Sequence, residues 1–179
     1  MRALAALAMV VALTATEAAH AGMRLTLVMV APEAVGRLER DQKALKSFVF
    51  GVSREKFEMD KEWHGIHFLL TGDPWSTAGP YGQVIFGGRE IGPDLGYGPA
   101  RLLTARQVKD IAAKLQAVPA ETLMARYDPK KLTKAEIYPE IWESEGFEAL
   151  NWLMEGYREL VSFYARAAAE GKAIILAIV

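Results

Sequence analysis

The chain has 179 residues, 51% of them hydrophobic and 24% charged, which is the size and make-up of one ordinary globular domain. Its 21 basic residues face 22 acidic ones, so no broad positive field exists to attract a nucleic acid or an anionic membrane. Cysteine is absent, which excludes disulfides, thiolate nucleophiles and thiolate metal ligands, and no cofactor motif takes their place.

Residues 1–21 read as a processing signal. Arg2 opens it, an apolar run follows from Ala3 to Ala15, and Ala19, His20 and Ala21 form a small-x-small cleavage pattern before Gly22. The run is shorter than the roughly 20 apolar residues of a membrane helix. The mature domain, 22–179, is therefore expected in the periplasm or outside the cell, without stable membrane anchoring. The alternative is a misassigned start, with Met23 as initiator of a cytoplasmic protein.

From Met23 to Met29 apolar and polar residues alternate, the pattern of a strand with one face in a core. Pro32 suits a first helical turn, and Val35, Leu38, Leu45 and Phe48 recur at helical spacing up to Gly51, which predicts one helix. Residues 51–59 are polar, and "DKEWHGIHFLLTG" predicts the next helix, with Gly72 as its left-handed cap. Gly72 to Pro99 is so rich in glycine and proline that a long ordered loop is expected, with only Val84 to Phe86 as a short strand. Thr104 is a plausible N-cap for a helix carrying Val108, Ile111, Ala112 and Leu115, and a shorter helix spans Ala120 to Tyr127. Phe147, Leu150, Met154, Tyr157, Val161, Tyr164 and Ala168 step by three and four along a long last helix ending at Gly171. Ala173 to Val179 is apolar throughout, as in a central strand covered on both faces, and is expected to pair with the Met23 strand. The fold class is thus α+β: a single, mostly helical domain whose N- and C-terminal strands pair in a small sheet.

Three segments carry candidate chemistry. On a helix, Trp63, Ile66 and Leu70 share one stripe, while Asp60, His64, His67 and Thr71 gather at its edge. If that edge borders a cleft, Asp60 would orient His64, and His67 would serve as general acid or base. The structural alternative is a core helix with a buried His67, a surface His64 and Asp60 as N-cap. Two histidines at i, i+3 lack the i, i+4 spacing and intervening glutamate of a zincin, so no metal site is expected. In "GGREIGPDLGYGPAR", Arg101 and the glycines invite an anion-binding reading, yet the lysine of a P-loop and the third glycine of a dinucleotide fingerprint are missing. The glycines then serve an irregular chain path that Asp94 and Arg101 hold by bonds to backbone, leaving Tyr97 and Arg101 open to a ligand. The third segment, "EIYPEIWESE", joins Tyr138 and Trp142 to four glutamates as either an acidic recognition edge or a connection anchored by its aromatics.

With "DKEWHGIHFLLTG", "FGGREIGPDLGYGPARLL", the "IYP" at Ile137 to Pro139 and the final helix and strand in place, the chain resembles the YfbM-like family. These are small bacterial proteins grouped as a domain of unknown function. The similarity runs from about Met23 to Val179. It implies one compact α+β domain and no established activity, so no catalytic residue carries over. In the family pattern the Trp63, His67, Leu70, Thr71 and Gly72 positions recur more dependably than His64, which weighs against an Asp60–His64 pair. Relatives usually begin near Gly22 and Met23 and look cytoplasmic, which keeps the alternative of a start at Met23 open.

The expected function is a non-catalytic module, accessory or immunity-like, that binds a protein or small ligand through Trp63, Asp94, Tyr97 and Arg101. The alternative is a small hydrolase- or lyase-like enzyme using His67, with His64 and Asp60, as acid and base, and Arg101 to hold an anionic group.

Overall fold

A computed structural model describes residues 22–179. Its centre is a five-stranded antiparallel sheet of β1 (Leu25–Val30), β2 (Lys56–Met59), β3 (Arg89–Asp94), β4 (Pro99–Leu103) and β5 (Ala173–Ile178), in the order β2-β1-β5-β4-β3. The first and last strands pair as expected, Leu27 opposite Leu176 and Met29 opposite Ile174.

Each face of this sheet has its own core. Leu25, Leu27, Met29, Ile174 and Leu176 point into the larger one. It is closed by α3 (Glu62–Thr71), α4 (Gln83–Phe86), α5 (Ala105–Gln116), α6 (Ala120–Met124), α7 (Pro129–Lys134), α8 (Trp142–Glu145) and α9 (Phe147–Ala169). Val30, Ala173, Ile175, Ala177, Ala100 and Leu102 point the other way, onto Leu38 of α1 (Pro32–Arg40) and Leu45 and Val49 of α2 (Gln42–Phe50). The β1 strand is therefore buried along its whole length rather than on one face, because the α1–α2 pair covers the side that alternation assigns to solvent. Thr26 is the exception that misled the pattern: it is buried, with an unpartnered hydroxyl.

Other expectations are also corrected. The single helix after Pro32 is two, divided at Asp41, whose extended backbone ends α1 and whose carboxylate accepts the Ala44 N–H to cap α2. The polar residues before Met59 make β2, an outer strand with little need of apolar residues. The glycine-rich "loop" contains the β3–β4 hairpin, and Val84 to Phe86 belongs to a helical turn rather than a strand. Asp60 does not cap α3: Lys61 occupies the N-cap without a side-chain bond, and the Glu62 carboxylate accepts the Lys61 N–H at 2.9 Å. Thr104 does cap α5, in a reciprocal capping box with Gln107, and Gly72 ends α3 at φ 77°.

The longest helix, α9, packs along α5 and α3. Its Gly156 faces Glu62, where an added Cβ would stand 2.7 Å from that side chain, and Gly65 of α3 is pressed as closely by Leu153 and Trp142. Small residues at these crossings bring α3 deep into the larger core.

Candidate functional site

Nearly every side chain of α3 is buried, the histidines included. Trp63 lies at the centre, fully buried, its indole N–H donating to the Met23 carbonyl at 3.0 Å. His64 is stacked between Trp63 and Trp75, with ring centroids 4.9 and 4.4 Å away. Its Nδ1 accepts the Tyr138 N–H at 3.1 Å, so its Nε2 carries the proton and donates to the Pro74 carbonyl at 3.0 Å. Burial lowers the pKa of this ring, and the Pro74 carbonyl works against that. With both nitrogens held by backbone, nothing is left for Asp60, which is exposed at the start of the helix.

His67 is sealed more completely. It has no exposed surface, and among the described residues neither ring nitrogen finds a hydrogen-bond partner. Its ring stands edge-on to Phe86 at 4.6 Å. Burial, and then the neighbouring His64, push its pKa down to about 4, with Asp73 opposing the shift. At neutral pH both rings are uncharged.

The β3–β4 hairpin is built from bonds to backbone. Asp94 Oδ1 accepts the Gly96 and Gly98 N–H groups at 2.7 and 3.2 Å, and both glycines have the positive φ that this turn demands. Arg101 donates to the carbonyls of Gly87 and Gly88 at 3.2 and 3.1 Å and to the Glu90 carboxylate at 2.9 Å. Tyr97, at the tip, is 55% exposed. Between this hairpin, α4 and the ends of β1 and β5 runs a groove of about 200 Å³, lined among others by Leu25, Ile85, Phe86, Tyr97, Arg101 and Ile178.

The sequence candidates thus fall into two groups. Tyr97 and Arg101 share the groove. Trp63 and His67 lie behind its wall, in contact with the inner side of Phe86 at 5.9 and 4.6 Å. His64, Asp60 and Asp94 do not reach it. The sequence does not mark Ile85 and Phe86, placed by a short helical turn, or Ile178, placed by strand register, as groove residues, whereas Trp75, an exposed aromatic in a glycine- and proline-rich segment, is a signal open to reading. Among the described residues no group of three or more His, Asp or Glu side chains is placed to hold a metal ion.

A family model described as "Domain of unknown function (DUF1877)" matches residues 21–177. The chain belongs to the DUF1877 family. One solved structure similar to this DUF1877 chain is that of a protein of unknown function, YfbM from Escherichia coli. It shares 20% sequence identity, with a TM-score of 0.72 over 88% of this chain and 100% of that one. The likeness is one of fold. No curated protein matches the chain. Among the described residues of this DUF1877 domain no helix is long and apolar enough to cross a membrane. The signal-peptide and start-codon readings fall on residues 1–21, outside the described ones.

Proposed function

We propose that this domain is a non-catalytic binding module whose groove takes an apolar side chain of a partner protein. The observation that carries the reading is the groove itself: an apolar floor of Leu25, Ile85, Phe86 and Ile178 with the exposed ring of Tyr97 at its rim. At about 200 Å³ it is smaller than the roughly 300–1,000 Å³ of small-molecule and cofactor sites, and suits one anchoring side chain. Arg101 acts as a strut, since its donors are engaged with the hairpin's own carbonyls and Glu90. Tyr97 is the recognition group, an aromatic ring held at a turn that Asp94 fixes.

Titration with N-acetyl-tryptophanamide and N-acetyl-leucinamide, followed by methyl NMR, tests this. Saturable shifts confined to Leu25, Ile85 and Ile178 are expected, weakened several-fold in Tyr97→Ala while the melting temperature holds. Absence of saturable shifts with either probe would overturn the reading.

One observation favours the enzyme alternative, the unpartnered His67 ring behind Phe86. Acid–base use of His67 requires Phe86 to move aside, so chemistry on a substrate in the groove would rise in Phe86→Ala and vanish in Phe86→Ala/His67→Leu.

A further inference from the structure

The sheet has an outer edge far from the groove. β2 is paired only with β1, and among the described residues no strand pairs with its other side. The Met29 N–H donates to Glu55 O at 2.8 Å, so Glu55, Phe57 and Met59 turn their backbone groups toward β1. Lys56 and Glu58 therefore turn theirs outward, and the Lys56 N–H has only a long turn bond to Ser53 O at 3.3 Å.

Charges along this edge follow an order. Arg54 in the turn before β2, Lys56 and Glu58 within it and Asp60 just past its end read basic, basic, acidic, acidic. Reversed and laid against itself, that series is its own complement. We infer that a second copy of the chain pairs with β2 antiparallel across a two-fold axis at Phe57, joining the two sheets into one.

In that register Lys56 stands opposite Glu58 of the second copy, and Arg54 and Asp60 come near one another just beyond the paired residues. Both Lys56–Glu58 pairs join residues whose backbone groups point outward, giving about four interchain backbone hydrogen bonds, two of them from Lys56 N–H groups that exchange their long turn bond to Ser53 O for the new one. Phe57 meets its own copy at a non-hydrogen-bonded position, where side chains come closest. Shifting the register by two residues sets Lys56 against Lys56 or Glu58 against Glu58, so charge selects one alignment. Lysine and a short length ordinarily protect an edge strand by repelling or limiting a partner. Here the existing Lys56–Glu58 ion pair, at 2.9 Å, shows that the two side chains already reach each other across one face. Beside the strand the surface stays hollow on both sides of the sheet. One cleft of about 360 Å³ lies between Arg54, Phe57, Phe163 and Arg166. The other, of about 350 Å³, lies below the exposed Phe50 and Val52. Those hollows leave room for a neighbouring strand's side chains to either face.

Sedimentation equilibrium on the full chain reads the result. A reversible, concentration-dependent dimer is expected, because the contact is small. Lys56→Glu, and independently Glu58→Lys, should raise its dissociation constant about tenfold or more by setting like charges opposite one another at both symmetry-related positions. The double exchange Lys56→Glu/Glu58→Lys restores complementarity and should bring the constant back near the parent value. Circular dichroism and melting temperature report whether each variant keeps its fold; Lys56 is largely buried beside Gly51, so Glu58→Lys, at the more exposed position, carries the test by itself if Lys56→Glu is destabilised. A monomer at every concentration, a dimer indifferent to both single changes, or a double variant no tighter than the singles would each overturn the pairing.

Discussion

Helix α3 and the β3–β4 hairpin both concentrate residues of the kind that recognition and catalysis use, and they dispose of them in opposite directions. In α3, Trp63, His64 and His67 are all but inaccessible, enclosed by α9, by the Tyr138 to Trp142 segment and by the chain returning from Gly72 to Phe86. The hairpin lies at the sheet's far edge with no layer above its tip, so Tyr97 stays in solvent. Residue type does not decide between a site and a core; the number of layers stacked on the element does. A polar ring under three layers becomes neutral filler, at the expense of its unpaired nitrogens. The same helix edge in solvent would have been a reasonable catalytic pair.

The largest expected effect tests α3 as scaffold. Trp63→Ala should lower unfolding free energy by about 3–5 kcal/mol in urea titrations, through the cavity and the lost bond to Met23. A loss below about 1 kcal/mol would mean that α3 is not part of the core described here.

Next comes pH. The His67 pKa is about 4 in the fold against 6.5 for the free side chain, so between these values the unfolded chain binds more protons. Stability from this group is complete above pH 6.5, falls with pH through that window and levels off below about 4, a change on the order of 3 kcal/mol. His64, also lowered by burial, adds in the same sense. Glu62, raised chiefly by its burial, acts in the opposite one: its fold is favoured when protonated, and that contribution is lost as pH rises. His67→Leu isolates the ring. It should flatten the acid limb of the stability profile and raise stability at pH 7 by about 1–3 kcal/mol, since two unpaired buried nitrogens disappear. A destabilised variant with the parent's acid limb would show that His67 has polar partners after all.

The smallest effect belongs to the hairpin. Arg101→Met should cost about 1–2 kcal/mol by freeing the Gly87 and Gly88 carbonyls, with the acid limb unchanged. If it instead shifts the acid limb, the two regions are coupled through Phe86 and the contrast between them narrows.

How much of this was legible depended on whether the signal was local. The long period of α9, the continuous apolar run of β5, the Thr104 cap and the Gly72 stop are written within a few residues each, and all appear in the structure. Asp94 and Arg101 binding the hairpin's backbone was likewise readable from residue type beside glycine. The hairpin itself was not, because Gly92 and Pro93 fall in an irregular stretch of its register and break the alternation that marks a strand. Nor was β2, whose outer position permits Lys56 and Glu58 where a central strand would need apolar residues. Val84 to Phe86 is too short for periodicity to separate strand from helical turn. For α3 the wheel placed His67 correctly around the axis. What it lacked was the chain ten to twenty residues downstream that folds back as Trp75 and Phe86 to seal that edge.

The position of β5 has a consequence for how the molecule is made. It is the middle strand of the sheet, with β1 on one side and β4 on the other, yet it follows every other described element in the chain. As the polypeptide emerges during synthesis, both cores must wait half-formed, with β1 and β4 each offering an unsatisfied edge until Ala173 to Ile178 arrives between them. The newborn domain is thus most vulnerable to wrong partners until β5 emerges, and that strand acts as its keystone.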